Sequence, residues 1–357
     1  MKRLIYISRM TESVSSTDLH KIGETSQRNN RELEITGVLL YLNGLFFQIL
    51  EGNEERIDNL YTKILIDNRH KDIMCLQSEE NISARLFPDW DMQVINLEEN
   101  EDIFIRPLKS LLQALSSSHH ILEKYTQHVV VRALNQGQNP LLLKPRNQHK
   151  FVLFADIFGF STFTEKLPPQ ELVDLVNEYF NLTSRAIAER GGSILKYMGD
   201  CVMASFEQDQ ADEVMQATLD ILKILRMTRR ESTPTHPGKL LYTGIGLAYG
   251  EVVEGNMGSQ IKMDYTLVGD TVNVASRMET LTRKVPYTVV LTEAVKQQCS
   301  EQWAFIELGE KQVKGKQEKI KTYSIDHPLC HKTPEMQRQI DNLGLLLEAF
   351  NKTGIIT

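Results

Sequence analysis

Apolar and polar residues alternate over 3–9 (RLIYISR), the period-two signature of a half-buried strand. Ser15-Ser16-Thr17-Asp18 caps a predicted helix that runs to about Asn30. A strand over 35–42 meets Asn43-Gly44, a type I′ turn signal, and 45–50 returns as its partner. An amphipathic helix over about 54–67 and strands at 73–77 and near 93–97 follow. The order β-α-β-β-α-β-β predicts an α/β sandwich of ferredoxin-like plan.

Residues 101–135 are helical in pattern. Leu108, Leu111, Leu112 and Leu115 fall on one stripe, and so do Ile121, Leu122 and Tyr125. Such helices either cover the first sheet or pair across a seam as a coupling or dimerisation element. Gln136-Gly137-Gln138-Asn139-Pro140 and Lys144-Pro145-Arg146-Asn147 mark a boundary loop. A strand at 150–156 then leads to a helix opened by Pro168-Pro169 and closed at Gly191-Gly192. A hairpin (193–206), a helix (about 209–230), a loop (231–238), a strand pair (240–256) and a helix (about 269–283) come next. Shorter strands and a basic turn, Val313-Lys314-Gly315-Lys316, complete a second βαββαβ core. The tail beyond 328 suggests one weak helix and no site. The predicted fold class is α/β (α+β): two ferredoxin-like sandwiches joined by amphipathic helices. The predicted boundaries are 1–98, 99–148, 149–326 and a tail at 327–357.

Composition changes little in this picture. The 357 residues suit two or three domains, and 41% hydrophobic with 24% charged residues is ordinary for globular cores. A formal charge of -7 argues against binding nucleic-acid duplexes, which takes a basic face. The four cysteines have no metal-ligand spacing, and Cys201 reads as a reduced core thiol. No apolar run approaches the ~20 residues of a membrane span, and the first residues lack a signal-peptide core. The expectation is a cytoplasmic protein with no membrane contact.

The chemistry concentrates in the second half. Asp156 ends the apolar run 151–155, and Asp200 sits in a Gly-Asp turn between two strands. Adjacent strands can bring the two carboxylates together, where they would hold divalent cations for phosphate chemistry. Gly159-Phe160-Ser161-Thr162 follows the first aspartate, a strand-to-helix turn whose N–H groups can cradle a triphosphate. Asn273 and Arg277, four apart, share a helix face suited to a ribose and a phosphorane-like transition state. Lys314 offers a point charge for phosphate. Each feature alone has a bland reading as a cap, a solvated face or a surface turn.

Together and in order they resemble the class III nucleotidyl cyclase catalytic domain. The resemblance rests on FADIFGFSTFTE (154–165), LKYMGDCVMASF (195–206), YTGIGLAYGEVVEGNMGS (242–259), DYTLVGDTVNVASRMET (264–280) and VKGK (313–316). It implies that Asp156, Asp200 and the Ile157 carbonyl hold two Mg²⁺ (or Mn²⁺) ions, and that the loop of Phe158, Gly159, Phe160 and Ser161 receives the triphosphate. By the same resemblance Asn273 orients the ribose, Arg277 meets the transition state and Lys314 contacts the terminal phosphates. Lys196 and Thr266 match the pair that reads the purine. Guanylyl cyclases of the family carry Glu and Cys there, so these residues imply ATP. The metal aspartates and the Lys196/Thr266/Asn273/Arg277 set come from opposite subunits in this family, which implies a homodimer.

The first domain carries hydrogen-bonding side chains within its strands. Tyr6 lies in Ile5-Tyr6-Ile7 and Gln48 in Phe46-Phe47-Gln48-Ile49-Leu50, with Asn30 ending the first helix. A buried Tyr–Gln hydrogen bond or a polar pocket for a flat heterocycle both fit. KRLIYIS, residues 29–52, DNRHKDI (67–73) and FPDWDMQVINL (87–97) resemble the BLUF family of flavin-binding blue-light sensors. That resemblance implies a bound flavin, FAD ahead of FMN, contacted by Asn30, Gln48 and His70. Tyr6 would be the photo-oxidised donor, and Trp90 and Met92 the last-strand residues that respond to light.

The two domains in this order resemble bacterial photoactivated adenylyl cyclases, so the expected function is a light-gated conversion of ATP to cyclic AMP. The alternatives are a light-regulated guanylyl or dual-specificity cyclase, which product assays with ATP and GTP separate, or a flavin sensor with a non-catalytic cyclase-like domain.

Overall fold

A computed structural model describes residues 1–11, 16–98, 105–312 and 319–356. Lys314 lies outside the described residues. The chain divides into two compact units, Met1–Leu143 and Lys144–Thr357.

In order, the first unit contains β1 (Lys2–Met10), α1 (Ser16–Glu32), β2 (Thr36–Leu42), β3 (Leu45–Gly52), α2 (Glu54–Leu65), β4 (His70–Glu79), β5 (Gln93–Asn96), α3 (Ile105–Tyr125) and α4 (His128–Asn135). Its sheet runs β4-β1-β3-β2-β5, antiparallel except for the parallel β2–β5 pair. This is the predicted ferredoxin-like order with one added edge strand. Asn43 (φ 48°) and Gly44 (φ 77°) turn β2 into β3 with both residues left-handed, as a type I′ turn requires. The pairing sets Tyr6 directly opposite Gln48. Because side chains alternate along a strand, one face buries Leu4, Tyr6, Leu39 and Phe46 with Ile57 and Tyr61 of α2. The other buries Ile7, Leu42 and Leu45 with Leu112 of α3.

The leucine stripe of α3 therefore divides. Leu108, Leu112 and Leu115 cover the sheet, whereas Leu111 is 63% exposed and Ile121, Leu122 and Tyr125 are exposed as well. Covering the sheet and leaving an apolar seam are properties of one helix.

The second unit contains β6 (Arg146–Ile157), α5 (Phe160–Lys166), α6 (Pro169–Glu189), β7 (Ser193–Met198), β8 (Cys201–Phe206), α7 (Ala211–Glu231), β9 (Thr243–Gly258), β10 (Met263–Val268), α8 (Asp270–Leu281), β11 (Val289–Thr292), α9 (Glu293–Gln298), β12 (Phe305–Lys311), β13 (Ile320–Ile325), α10 (Pro334–Asp341) and α11 (Leu343–Thr353). Its sheet runs β12-β13-β11-β9-β6-β8-β7, with β10 on β9. The stretch β9-β6-β8-β7 repeats the split order of the first unit. The main core lies under α6 and α7, and α8 covers the opposite face.

Two expectations fail here. The strand pair expected at 240–256 is a single 16-residue strand, whose partner is β10. Its glycines make room instead of turns: a Cβ on Gly246 would stand 2.0 Å from the Glu279 nitrogen of α8. The tail forms two helices, not one weak helix, and Leu343, Leu347 and Phe350 belong to the main core. Among the described residues no helix is long and apolar enough to cross a membrane.

Candidate functional site

The end of β6 and the β7–β8 hairpin meet at one edge of the second sheet. Gly199 (φ 67°) allows the tight turn that presents Asp200. The Asp200 Oδ2 accepts from the Ile157 N–H at 3.2 Å, which ties the hairpin to the strand carrying Asp156. Asp156 Oδ2 accepts from Arg283 Nη2 at 2.8 Å. Its Oδ1 is buried with no hydrogen-bond partner. The Asp156 carbonyl accepts from Thr243 Oγ1 (2.9 Å), and the Thr243 hydroxyl meets that of buried Tyr179 (2.8 Å).

The electrostatics follow from this crowding. Burial, then the adjoining Asp156 carboxyl, pushes the Asp200 acid up to about 8. Burial likewise raises Glu279 to about 7, against the pull of Arg283. Glu279 projects from α8 and accepts from Arg283 Nη1. Two adjoining acids, one with an orphaned buried oxygen, form a donor set short of positive charge. That arrangement fits divalent cations with oxygen ligands.

The loop after Asp156 is partly committed. Phe158 N–H donates to the Tyr242 carbonyl at 2.9 Å, so it is not open to a phosphate as expected. The Phe158 ring is buried, with Arg283 and Lys332 over its π face. Gly159 is left-handed (φ 72°), and Phe160 and Ser161 open α5. A Cβ on Gly159 would stand 2.7 Å from Leu343 of α11.

The remaining expected residues lie elsewhere. Lys196 pairs with Asp264 Oδ2 at 2.6 Å, and Thr266, two residues further along β10, is buried. Asn273 is exposed and Arg277 half-buried on α8. Helix geometry turns Arg277 about 200° from Glu279, which reaches Arg283 at the aspartates. One chain thus sends Glu279 toward its own acids and Asn273 and Arg277 away from them.

In the first unit Tyr6, Asn30, Gln48 and His70 line one cavity of about 450 Å³ between α1, α2 and the sheet. The Tyr6 hydroxyl donates to Gln48 Oε1, and Gln48 Nε2 donates to Met92 Sδ at 3.5 Å. Asn30 Nδ2 donates to the Asp91 carbonyl at 3.0 Å. His70 Nδ1 lies 3.0 Å from Ser8 Oγ, and burial lowers the imidazole pKa. Burial also raises the Tyr6 phenol. Lys21 and Lys63 line the same cavity, cations suited to the phosphates of a flavin nucleotide. Trp90 and Met92 precede β5 instead of lying in it. Met92 is buried beside Gln48; Trp90 is 38% exposed, stacks on Phe87 and lies outside the cavity lining.

Sequence reasoning missed Arg283, Glu279 and Asp264. The Glu279/Arg283 spacing of four is a legible helix pair. Nothing in the sequence says that it leans on Asp156.

Residues 1–93 match the family model described as sensors of blue light using FAD, and residues 144–327 match the adenylate and guanylate cyclase catalytic domain. The photoactivated adenylate cyclase subunit beta of Euglena longa is 35% identical over 301 residues, covering 84% of this chain and 35% of that protein. The alpha subunit of Euglena gracilis is 31% identical over 298 residues, covering 83% and 29%. The chain thus spans about a third of the length of these curated relatives. A solved bacterial light-regulated adenylyl cyclase is 49% identical and covers 97% of this chain and 99% of its own, with a TM-score of 0.88.

Proposed function

The chain belongs to the family of light-regulated adenylyl cyclases in which a BLUF domain precedes a cyclase catalytic domain, and on that premise we propose that it converts ATP to 3′,5′-cyclic AMP and pyrophosphate under blue-light control. The observation that carries the reading is the paired acids Asp156 and Asp200, which adjoin closely enough to raise the Asp200 acid, with the Asp156 Oδ1 buried and no backbone N–H or cationic side chain donating to it.

Asp156, Asp200 and the Ile157 carbonyl would hold two Mg²⁺ ions. When bound, such ions lower the pKa of the attacking hydroxyl and neutralise the departing phosphate. In the reaction the ribose 3′-oxygen bonds to the α-phosphorus, the bond to the bridging α–β oxygen breaks, and the 3′-proton departs. The protein's own task is positioning and charge stabilisation. Gly159, Phe160 and Ser161 receive the triphosphate, and Lys314 its terminal phosphates. Lys196 reads the purine after leaving Asp264, and Thr266 completes that reading. Asn273 and Arg277 point away from the acids of their own chain, so a second copy supplies them and the enzyme works as a homodimer.

The sensor pocket takes the isoalloxazine of FAD against Asn30, Gln48 and His70. A bound flavin would supply light absorption and an electron acceptor; Tyr6 would be the electron and proton donor, and Gln48, bonded to both Tyr6 and Met92, would be the side chain that rearranges. Met92, bonded to Gln48, passes the change to β5 and to the α3 helix that covers the same sheet. Trp90 follows through its carbonyl, which accepts from Gly37 of β2. The test is cyclic nucleotide formation by purified protein, dark against blue light, from ATP and from GTP, with the absorption spectrum recorded alongside. A colourless protein, or equal rates in dark and light, overturns the sensor reading; GTP turnover above ATP turnover overturns the substrate.

A further inference from the structure

At the C-terminal end of α7 a cavity of about 550 Å³ opens between that helix, the start of β9 and the segment bearing α10. Arg226, Arg229 and Arg230 of α7 and Lys239 of the next turn line it, against one carboxylate, Glu335. Among the described residues none of these four cations is ion-paired. Its floor is apolar, with Leu225 and Met336. The volume lies within the range of small-molecule sites, ~300–1,000 Å³.

Basic residues at a helix C-terminus are favourable without any ligand, because they oppose the helix dipole. That accounts for Arg229 and Arg230 being basic. It does not account for Lys239 converging on them from another segment. Nor does it explain why Arg229 is half-buried, where loss of water lowers its pKa with no carboxylate to compensate. The Arg229 guanidinium lies 4.1 Å above the Tyr242 ring and donates to the Leu241 carbonyl at 2.7 Å. Fork-shaped guanidinium groups over an apolar floor match a phosphate ester carrying a planar or apolar group.

The cavity also adjoins the catalytic loop through consecutive residues. Tyr242 accepts from the Phe158 N–H with its carbonyl and donates to Gln339 of α10 with its hydroxyl (2.6 Å). Thr243, the next residue, holds the Asp156 carbonyl. We propose that this cavity is a regulatory site for a phosphorylated small molecule of nucleotide size, read out at Asp156 through Tyr242 and Thr243. The binding stands apart from the cyclase reading; only its consequence for turnover rests on it.

Calorimetric titration of the full-length, flavin-loaded protein with AMP in EDTA tests the proposal. Saturable AMP binding is expected, with adenosine failing to bind. The R226E/R230E double variant, which alters two exposed side chains, should bind about tenfold more weakly or worse. K196A, which alters the purine site of the catalytic centre, should bind AMP as the parent does. Equal affinity in R226E/R230E, equal binding of adenosine, or loss of binding in K196A overturns the proposal. Because the measurement is of binding and not turnover, its failure leaves the cyclase reading standing.

Discussion

Arg283 Nη2 stands 2.8 Å from Asp156 Oδ2, so a cation of the chain's own rests against one of the two acids. It is held there by Glu279, one helical turn earlier. The guanidinium bonds only one oxygen; the other, Oδ1, is buried with no cationic side chain or backbone N–H donating to it. Arg283 thus stabilises the metal-free site without filling it.

Removing that cation has a definite sign. Arg283→Ala leaves Asp156 and the buried Glu279 without it. The expected loss of metal-free stability is about 1–2 kcal/mol, discounted from the value of a fully buried pair because Arg283 is partly exposed. The same variant should gain more from Mg²⁺ than the parent, since the ion no longer competes with a resident cation. Thermal unfolding in EDTA and across a Mg²⁺ titration measures both; a variant as stable as the parent in EDTA would exclude this role.

Asp200 sets a pH dependence. Its folded value, about 8, lies above the ordinary 3.8, so the folded protein holds the proton more tightly than the unfolded chain. The stabilisation is complete below pH 3.8 and is lost as pH rises through about 8. Glu279, raised to about 7, adds a slope of the same sign. In EDTA, Asp200→Asn should flatten the fall in unfolding midpoint and be more stable than the parent at pH 8. Its stability should no longer respond to Mg²⁺. Adding Glu279→Gln should flatten the slope further, because it removes the second raised acid. A parent-like slope in Asp200→Asn would show that burial and Asp156 do not raise this acid.

The sensor's chain of bonds separates detection from output. Tyr6 donates to Gln48, and Gln48 donates to Met92. Tyr6→Phe keeps the cavity's shape and should keep the flavin and the dark rate, but lose the light-induced spectral shift and the activation together. Met92→Ala should keep the spectral shift and lose most of the activation. Absorption spectra and cyclic AMP assays on the same samples give both quantities. Activation retained in Met92→Ala would route the signal elsewhere.

Much of this arrangement is legible in the sequence. The Asn43-Gly44 turn follows from local turn chemistry, and strand alternation lets Tyr6 and Gln48 share a face and lets adjacent strands bring Asp156 and Asp200 together; the β1–β3 pairing adds the exact register that sets Tyr6 opposite Gln48. What escapes depends on contacts distant in sequence. The run 240–256 reads as a strand pair until α8 is seen packed on Gly246 of one long strand. The tail looks weakly helical alone, and its Leu343 and Leu347 are fixed by a core drawn from residues 151–330. Arg283 finds Asp156 across 127 positions, a pairing no periodicity encodes.

Gly159 joins the tail to the substrate loop, and its substitution separates two costs. The left-handed backbone (φ 72°) costs a non-glycine residue about 1–2 kcal/mol. An added Cβ would also meet Leu343 Cδ2 at 2.7 Å, the moving end of a flexible side chain. Gly159→Ala should therefore destabilise the protein and weaken ATP binding by displacing the loop before Phe160. Adding Leu343→Ala removes the steric part but empties a position in the main core. The double variant should accordingly recover ATP affinity, read as KM, while losing further stability, read as unfolding midpoint. The two readouts moving in opposite directions is the signature of a tail that shapes the loop. KM unchanged between Gly159→Ala and the double variant would mean that the tail only buries the core.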